Sequence, residues 1–517
     1  MSWKKYRDVF LETKPDESHF VLGIDIGNLT ACVSYFDAVS MQPEVVDMSG
    51  GYGKASVPTV VQYIGDTGEW VFGEYALLNK SETRECYFEN LVERLGHREY
   101  LEAGGKSISV VWILAQFTKE LIANLKNINP RAEVAGLVIS VPSYMSEEAK
   151  NEFNQVVKTA GFSSALVRFA TDRECVFSKY FYQNPVTDEN VLLLDFGGRE
   201  LRGGIYSVSP GEEIQIRCSS SMFESALGAH AIERRVYSLF SRFYEEKSLD
   251  KNPSNVIIDQ LSAFTYQHKD LLFQKSGSKT VKLYYNFVYP PIVRTIDPDE
   301  IKEFIRPFER GLGLFIEELL EKSEEEFGMK IEVNTVICIG GGFEMPWARA
   351  VIEKRFPECN RVLYKNAKGI SSEGASLIAA GALNIIKPIN IKIIDEHQLS
   401  CDFGLITLFE KSERFVPIAE RNSFWWQRHA PQSVLLTDPT DVPVSITICS
   451  RNEQGGILPV SDIMLDGLPV RPGGTTRLKI LLEFLNRRKM KITVIDAGFG
   501  ELFPKTNFVR DFEIIVG

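Results

Sequence analysis

Apolar positions over the first three quarters of the chain alternate between two periods. FVLGIDIG (20–27), VAGLVISVP (134–142), VLLLDFGG (191–198) and TVICIG (335–340) are short apolar runs ending in glycine or proline, the pattern of buried strands. Between them SVVWILAQFTKELIANL places Val110, Leu114, Phe117, Leu121 and Leu125 at helical spacing, and SEEAKNEFNQVVKTAG predicts a helix with Ser146 as N-cap and Gly161 as its stop. This is α/β organisation. After about residue 398 the period becomes two: Val442, Val444, Ile446 and Ile448 alternate with polar residues or proline, as do Met490, Ile492 and Val494. Turn signals (LDGLP, RPGG, DAGFG) punctuate these runs and no helix intervenes, so an antiparallel β-sandwich is expected. The connecting KPINIKIIDEHQ reads as a linker with one apolar face, Ile389, Ile391 and Ile393.

The same pattern singles out two carboxylates. Asp25 and Asp195 stand inside runs that should be buried, where an unpaired carboxylate costs several kcal/mol, so each marks a strand edge or a ligand site. Each is followed at the second position by glycine: Gly27, and Gly197 with Gly198. Two strand–Asp–x–Gly hairpins facing each other would offer two sets of turn amides to a polyphosphate, with each aspartate orienting a water on magnesium. Gly340, Gly341 and Gly342 follow a third strand. One Asp-x-Gly is a common turn; two after apolar strands, with a triple glycine at a third, form a pattern. The structural alternative is a pair of vestigial hairpins whose carboxylates pair with Arg199 or Arg202, and a tight strand-to-helix turn at the triple glycine.

Length and charge narrow the classes. A chain of 517 residues calls for two or more domains. A net charge of −11 with a pI near 5.4 excludes a nucleic-acid or anionic-membrane surface by the average field, so phosphate affinity must be local. Eight scattered cysteines with no CxxC pair predict reduced thiols and a cytoplasmic protein. Six scattered histidines without HExxH give metal catalysis no support, and no run has signal-peptide or membrane-span character.

The succession GIDIGNLT (23–30), VISVPSYM (138–145), LLLDFGG (192–198), LGAH (227–230), VICIGGGFEMP (336–346) and EGASLIAAGAL (373–383) resembles the nucleotide-binding domain of the seventy-kilodalton heat-shock chaperones. These form the DnaK-like branch of the actin-like ATPases. LSCDFG (399–404), FVPIAERNS (415–423) and MLDGLP (464–469) are similar to the family's peptide-holding β-subdomain. The resemblance runs from about residue 20 to the end. It implies an α/β plus all-β protein: an extension (1–19), a two-lobed actin-like (ribonuclease-H-like) nucleotide-binding domain (20–385), a linker (386–398) and a β-sandwich substrate-binding domain (399–517). It further implies ATP or ADP with Mg2+, held by Asp25, Gly27, Asn28, Thr30, Asp195, Gly197, Gly198, Arg199, Gly340, Gly341 and Gly342. Asp172 and Asp195 are the catalytic candidates, and Asp25 and Asp195 would meet the metal through water. An extended peptide would lie against Phe403, Ile406, Leu435, Val444, Ile446 and Met490, six positions that also read as sandwich core.

Departures from the family pattern fall on its chemistry. Where the family has two hydroxyl residues in the first loop stand Asn28 and Leu29, with Thr30 one step later. In the second loop Arg199, Glu200 and Arg202 replace glycine, threonine and aspartate; Arg199 could meet a phosphate bidentately or form a salt bridge, and Arg202 has the same two readings. Leu77 takes the place of the catalytic lysine, whose loss commonly removes several kcal/mol of transition-state stabilisation. Asp172 replaces a glutamate and otherwise reads as a surface charge beside Arg173; Leu271 and Leu272 replace basic residues of the adenine clamp. The stretch TLFEKSERFVP reads as a long, charged loop, FWW (424–426) as an added aromatic surface, and the family's helical lid has no counterpart in these residues.

The expected function is a DnaK-like chaperone, or a binding protein derived from one, that holds unfolded or extended peptide segments or a dedicated protein partner, with ATP hydrolysis weak or absent. Two alternatives stand: an active ATP-dependent chaperone in which Asn28, Arg199 and Asp172 have taken over the lost roles, and an actin-like polymer subunit, which has no need of the C-terminal sandwich.

Overall fold

The computed structural model describes residues 19–516 apart from 49–53, 79–85, 124, 126–132, 144, 163–165, 249–252, 275–279, 328–329, 396–398, 400, 410–411, 422, 424–428, 443, 453 and 487–488. The chain divides into two compact units, Met1–Ser143 with Glu147–Ile394, and Tyr144–Ser146 with Asp395–Gly517. The first is α/β and the second, among its described residues, contains strands without helices.

The first unit is built twice on one plan. Strands β1 (His19–Ile26), β2 (Thr30–Asp37), β3 (Gln42–Val45), β4 (Glu133–Val141) and β5 (Leu166–Thr171) lie in the order β5-β4-β1-β2-β3. Strands β6 (Glu189–Phe196), β7 (Leu201–Ser209), β8 (Ile214–Glu224), β9 (Thr335–Ile339) and β10 (Asn360–Leu363) lie in the order β10-β9-β6-β7-β8. In both sheets the first strand runs antiparallel to the second and parallel to the fourth. β1 and β6 are therefore equivalent, and each ends at its Asp-x-Gly. Central strands are enclosed on both faces, which is why β9 is buried at every residue and reads as an unbroken apolar run.

Two helices tie the halves by exchange. Helix α3 (Asp172–Gln183) follows β5 of the first sheet yet packs Val176, Phe177 and Tyr180 with Val191, Leu193 and Tyr206 of the second. Helix α8 (Ile370–Ala382) follows β10 of the second sheet yet packs Ala375, Leu377 and Ala379 with Val21 and Val138 of the first. Glycine lets them approach: a Cβ on Gly374 would overlap the Cys175 backbone, and one on Gly23 would overlap the backbone of Ser372 and Ser376. The Ser34 and Ser372 hydroxyls meet at 2.6 Å and the Lys179 ammonium pairs with Glu373 at 2.5 Å, both within this crossing. Helices α1 (Val110–Ala123) and α2 (Glu147–Thr159) cover the first half. Helices α4 (Ala229–Ser248), α5 (Asn255–Gln274), α6 (Pro298–Phe327) and α7 (Pro346–Arg355) belong to the second.

The segment expected to link the domains belongs to the first unit as far as Ile394. Strand β11 (Ile391–Asp395) adds to the second sheet beyond β8, and Ile389, Ile391 and Ile393 pack on its core. In the second unit, strands β12 (Asp402–Phe409), β13 (Ser412–Ala419), β14 (Gln432–Leu436), β15 (Val444–Arg451), β16 (Ile457–Leu465), β17 (Thr476–Asn486), β18 (Lys489–Asp496) and β19 (Val509–Ile515) form two four-stranded sheets, β13-β12-β15-β16 and β14-β17-β18-β19. Inward-facing Leu405, Ile448, Leu478, Ile480, Ile492 and Val494 fill the space between them. The charged TLFEKSERFVP is not a long loop. Thr407 pairs with Arg414, Leu408 with Glu413 and Phe409 with Ser412 across a hairpin, and Glu413 and Arg414 stand exposed on an edge strand. FWW lies outside the described residues.

If the glycine crossing sets the spacing of the halves, Gly374→Ala should lower unfolding free energy by about 3 kcal/mol or more in urea titration, because backbone rather than a side-chain tip must yield. Gly313→Ala in α6, where a Cβ would meet nothing within 4 Å, is the control and should be neutral or stabilising by up to about 1 kcal/mol.

Candidate functional site

The equivalent ends of β1 and β6 form equivalent turns. The Gly27 N–H donates to the Thr30 carbonyl at 3.0 Å, and the Gly197 N–H donates to the Glu200 carbonyl at 3.1 Å. Of the amides expected to face a polyphosphate, those of Gly27 and Gly197 are thus used inside their own turns. The carbonyls of Gly197 and Gly198 accept from the N–H groups of Ala229 and His230 at the start of α4, so the second turn is also anchored behind.

The two turns meet. A Cβ on Gly198 would stand 2.7 Å from Leu29 Cδ1, so the Leu29 side chain lies directly against the second turn. Glu93 joins them a second time: its N–H donates to Asn28 Oδ1 at 3.0 Å and its carboxylate pairs with Arg199. Arg199 therefore has a protein carboxylate as its partner, the salt-bridge alternative, though with Glu93 rather than with either buried aspartate. The third glycine cluster completes the surroundings. Gly340, at φ 86°, comes close enough that a Cβ would lie 2.7 Å from Asp195 Oδ1. Gly341 packs under the Lys368 side chain and Gly342 under the Phe196 ring, which meets Phe343 and Trp347 edge-on.

Asp172 corrects the surface-charge expectation. It opens α3 below a Thr171–Glu174 capping box, and its carboxylate accepts from Arg202 Nη1 at 3.3 Å and from the Arg173 N–H at 2.8 Å. Arg202 Nε also donates to Glu200 at 2.6 Å. Asp172 and Glu200 thus share one guanidinium, which stands opposite Asp195 in the strand ladder and whose charge also acts on Asp25. Asp25 and Asp195 keep a partial opening to solvent, but burial, then mutual repulsion with neighbouring carboxylates, pushes each carboxyl up to about 7. Asp195 and Asp172 raise Asp25, Asp172 and Glu200 raise Asp195, and Arg202 opposes both shifts.

Other expected positions divide. Leu77 is half-buried on the short helix Gly73–Leu78; Leu272 is core and Leu271 packs beside it, so those two positions present no charge to a ligand. The six peptide-lining residues are not gathered into one groove. Phe403, Ile446 and Met490 are buried core and Val444 packs half-buried against the same core, whereas Ile406 and Leu435 point outward at 43% and 45% exposure. Among the described residues no group of three or more His, Cys, Asp or Glu is placed to hold a metal, and no helix is long and apolar enough to cross a membrane. Sequence reasoning missed Glu93 and the Lys179–Glu373 pair. Lys179 carried the signal that revealed Asp25, a single charge among apolar residues in VFSKYF, whereas Glu373 stands among serines in SSEGASL.

Two family models match separate stretches of the chain. Residues 42–258 match a family of unknown function (DUF5716, C-terminal part) and residues 398–516 match a domain of unknown function (DUF8552). Across 93% of its length the chain is similar to chaperone protein DnaK of Halobacterium salinarum, at 22% identity over 74% of that protein. It is likewise similar to chaperone protein dnaK3 of Synechocystis sp., at 21% identity over 63% of that protein, and to chaperone protein DnaK of Trichormus variabilis, at 20% over 71%. The similarity is distant and spans both units.

The raised carboxyls fix a pH dependence. Between their ordinary value of 3.8 and about 7 the folded chain holds protons that the unfolded chain has released, so this contribution to stability is complete at the acid end and is lost as pH rises through 7. Asp195→Asn should therefore melt higher than the parent at pH 8, by roughly 1–2 kcal/mol after allowing for solvent at the cleft, with the gain shrinking toward pH 4 in parallel thermal melts.

Proposed function

We propose that the chain is a DnaK-like binding protein: a two-lobed, actin-like domain whose nucleotide chemistry has degenerated, followed by a β-sandwich that holds extended peptide segments or a dedicated protein partner without nucleotide turnover. The observation that carries this reading is Leu29 lying on Gly198, because the space between two facing Asp-x-Gly turns is where a polyphosphate would have to pass. The turn amides of Gly27 and Gly197 donate within the protein, Arg199 is engaged by Glu93, and Leu77 cannot supply charge to a transferring phosphoryl group. Magnesium-bound ATP fits this arrangement poorly, so no catalytic step is assigned to it. The repeated sheet plan and the distant DnaK similarity over both units support the architecture.

Holding would then be governed by the second unit. Backbone pairing gives affinity without sequence preference, and a single apolar anchor adds a modest increment. The edge of β14, unpaired among the described residues, with Leu435 exposed and neither charge nor proline in the strand, is a better site than the buried Ile446 or Met490. Affinity for a Leu-rich peptide should be near micromolar, about −8 kcal/mol, with fast exchange.

The test uses the whole chain. Phosphate release should equal a buffer control, calorimetric titration with ATP or ADP should give no binding heat with or without Mg2+, and fluorescence anisotropy of a labelled Leu-rich peptide should be the same with and without ATP. Turnover above the control, or peptide release on adding ATP, would replace this reading with that of an active chaperone.

A further inference from the structure

We propose that Arg202 is a built-in counter-ion: its guanidinium bridges carboxylates carried by the two halves of the first unit and pins those halves, so that their arrangement requires neither nucleotide nor divalent metal. This rests on the reading that the cleft no longer turns over nucleotide.

The carboxylates come from both halves. Asp25 ends β1 and Asp172 follows β5, both of the first sheet; Asp195 ends β6 and Glu200 lies in the turn after it, both of the second. Such a cluster relieves its repulsion by holding protons or by taking a positive charge among its members. Arg202 is carried on β7 directly opposite Asp195 in the ladder, so its backbone position is fixed by the second sheet. Its side chain bonds Glu200 on its own half at 2.6 Å and Asp172 on the other at 3.3 Å. The guanidinium is forked and permanently charged, so one side chain can bridge two carboxylates in fixed directions. Arg199–Glu93 spans the same two halves, and Leu29 against Gly198 closes the space beside it. A hydrated divalent ion would bring positive charge to this point reversibly; Arg202 brings it covalently.

The experiment is thermal unfolding of the full chain in EDTA and in about 5 mM MgCl2, for the parent, Arg202→Met, Arg202→Asp, Asp172→Asn and the Arg202→Met/Asp172→Asn double variant. The parent should melt within about 1 °C of itself in the two buffers, and Arg202→Met should melt about 3 °C or more lower in both. The double variant should lose less than the sum of the two single losses, since both remove the same bridge. Arg202→Asp, which adds a carboxylate, should melt low in EDTA and recover in Mg2+. Stabilisation of the parent by Mg2+, or parent-like melting of Arg202→Met, would overturn the proposal, and so would additive losses. Should Arg202→Asp fail to fold, the remaining arms decide. ATP titration of the parent separates the two claims: binding overturns the degenerate-cleft reading as well, whereas no binding together with an indifferent Arg202→Met overturns this proposal alone.

Discussion

Everything in the first unit depends on a backbone-to-backbone approach that only glycine permits. Gly374 of α8 lies against Cys175 of α3, and Gly23 of β1 lies against the first turns of α8. Each helix belongs to one half by connection and to the other by packing, so the crossing is where the two cores become one structure. The Lys179–Glu373 pair sits at that crossing. A buried pair gains little net stability over an apolar substitute, but breaking it strands a charge, so it discriminates against other registers of the same two helices. With the helices fixed, the ends of β1 and β6 have nowhere to point but toward each other.

Much of this was readable along the chain. Short apolar runs ending in Asp-x-Gly identified both equivalent strands, because a carboxylate among apolar neighbours is informative whatever the fold. The same rule, applied to single charges in helical runs, would have found Lys179; Glu373, standing among serines, is less conspicuous. Leu29 was visible as a lost hydroxyl, but that its side chain fills the space over Gly198 depends on a contact between turns about 170 residues apart, which no local pattern encodes.

The second unit separates the legible from the illegible differently. Period-two alternation marked β15 and β18, yet alternation says only that a residue faces inward, not whether it faces a groove or a closed core. Phe403, Ile446 and Met490 are inward and enclosed; Ile406 and Leu435 are apolar and outward. The charges of FEKSERF suggested a loop because charge usually means solvent, and an edge strand satisfies that requirement while keeping its ladder on one side.

The short strand β11 gives the connection between units a mechanical character. The chain leaves the first unit from the edge of a sheet, with Ile389, Ile391 and Ile393 seated on its core. Tension applied to the chain beyond Asp395 would meet this five-residue strand first. Peeling this edge strand away would remove one ladder and leave the other five strands of the sheet joined.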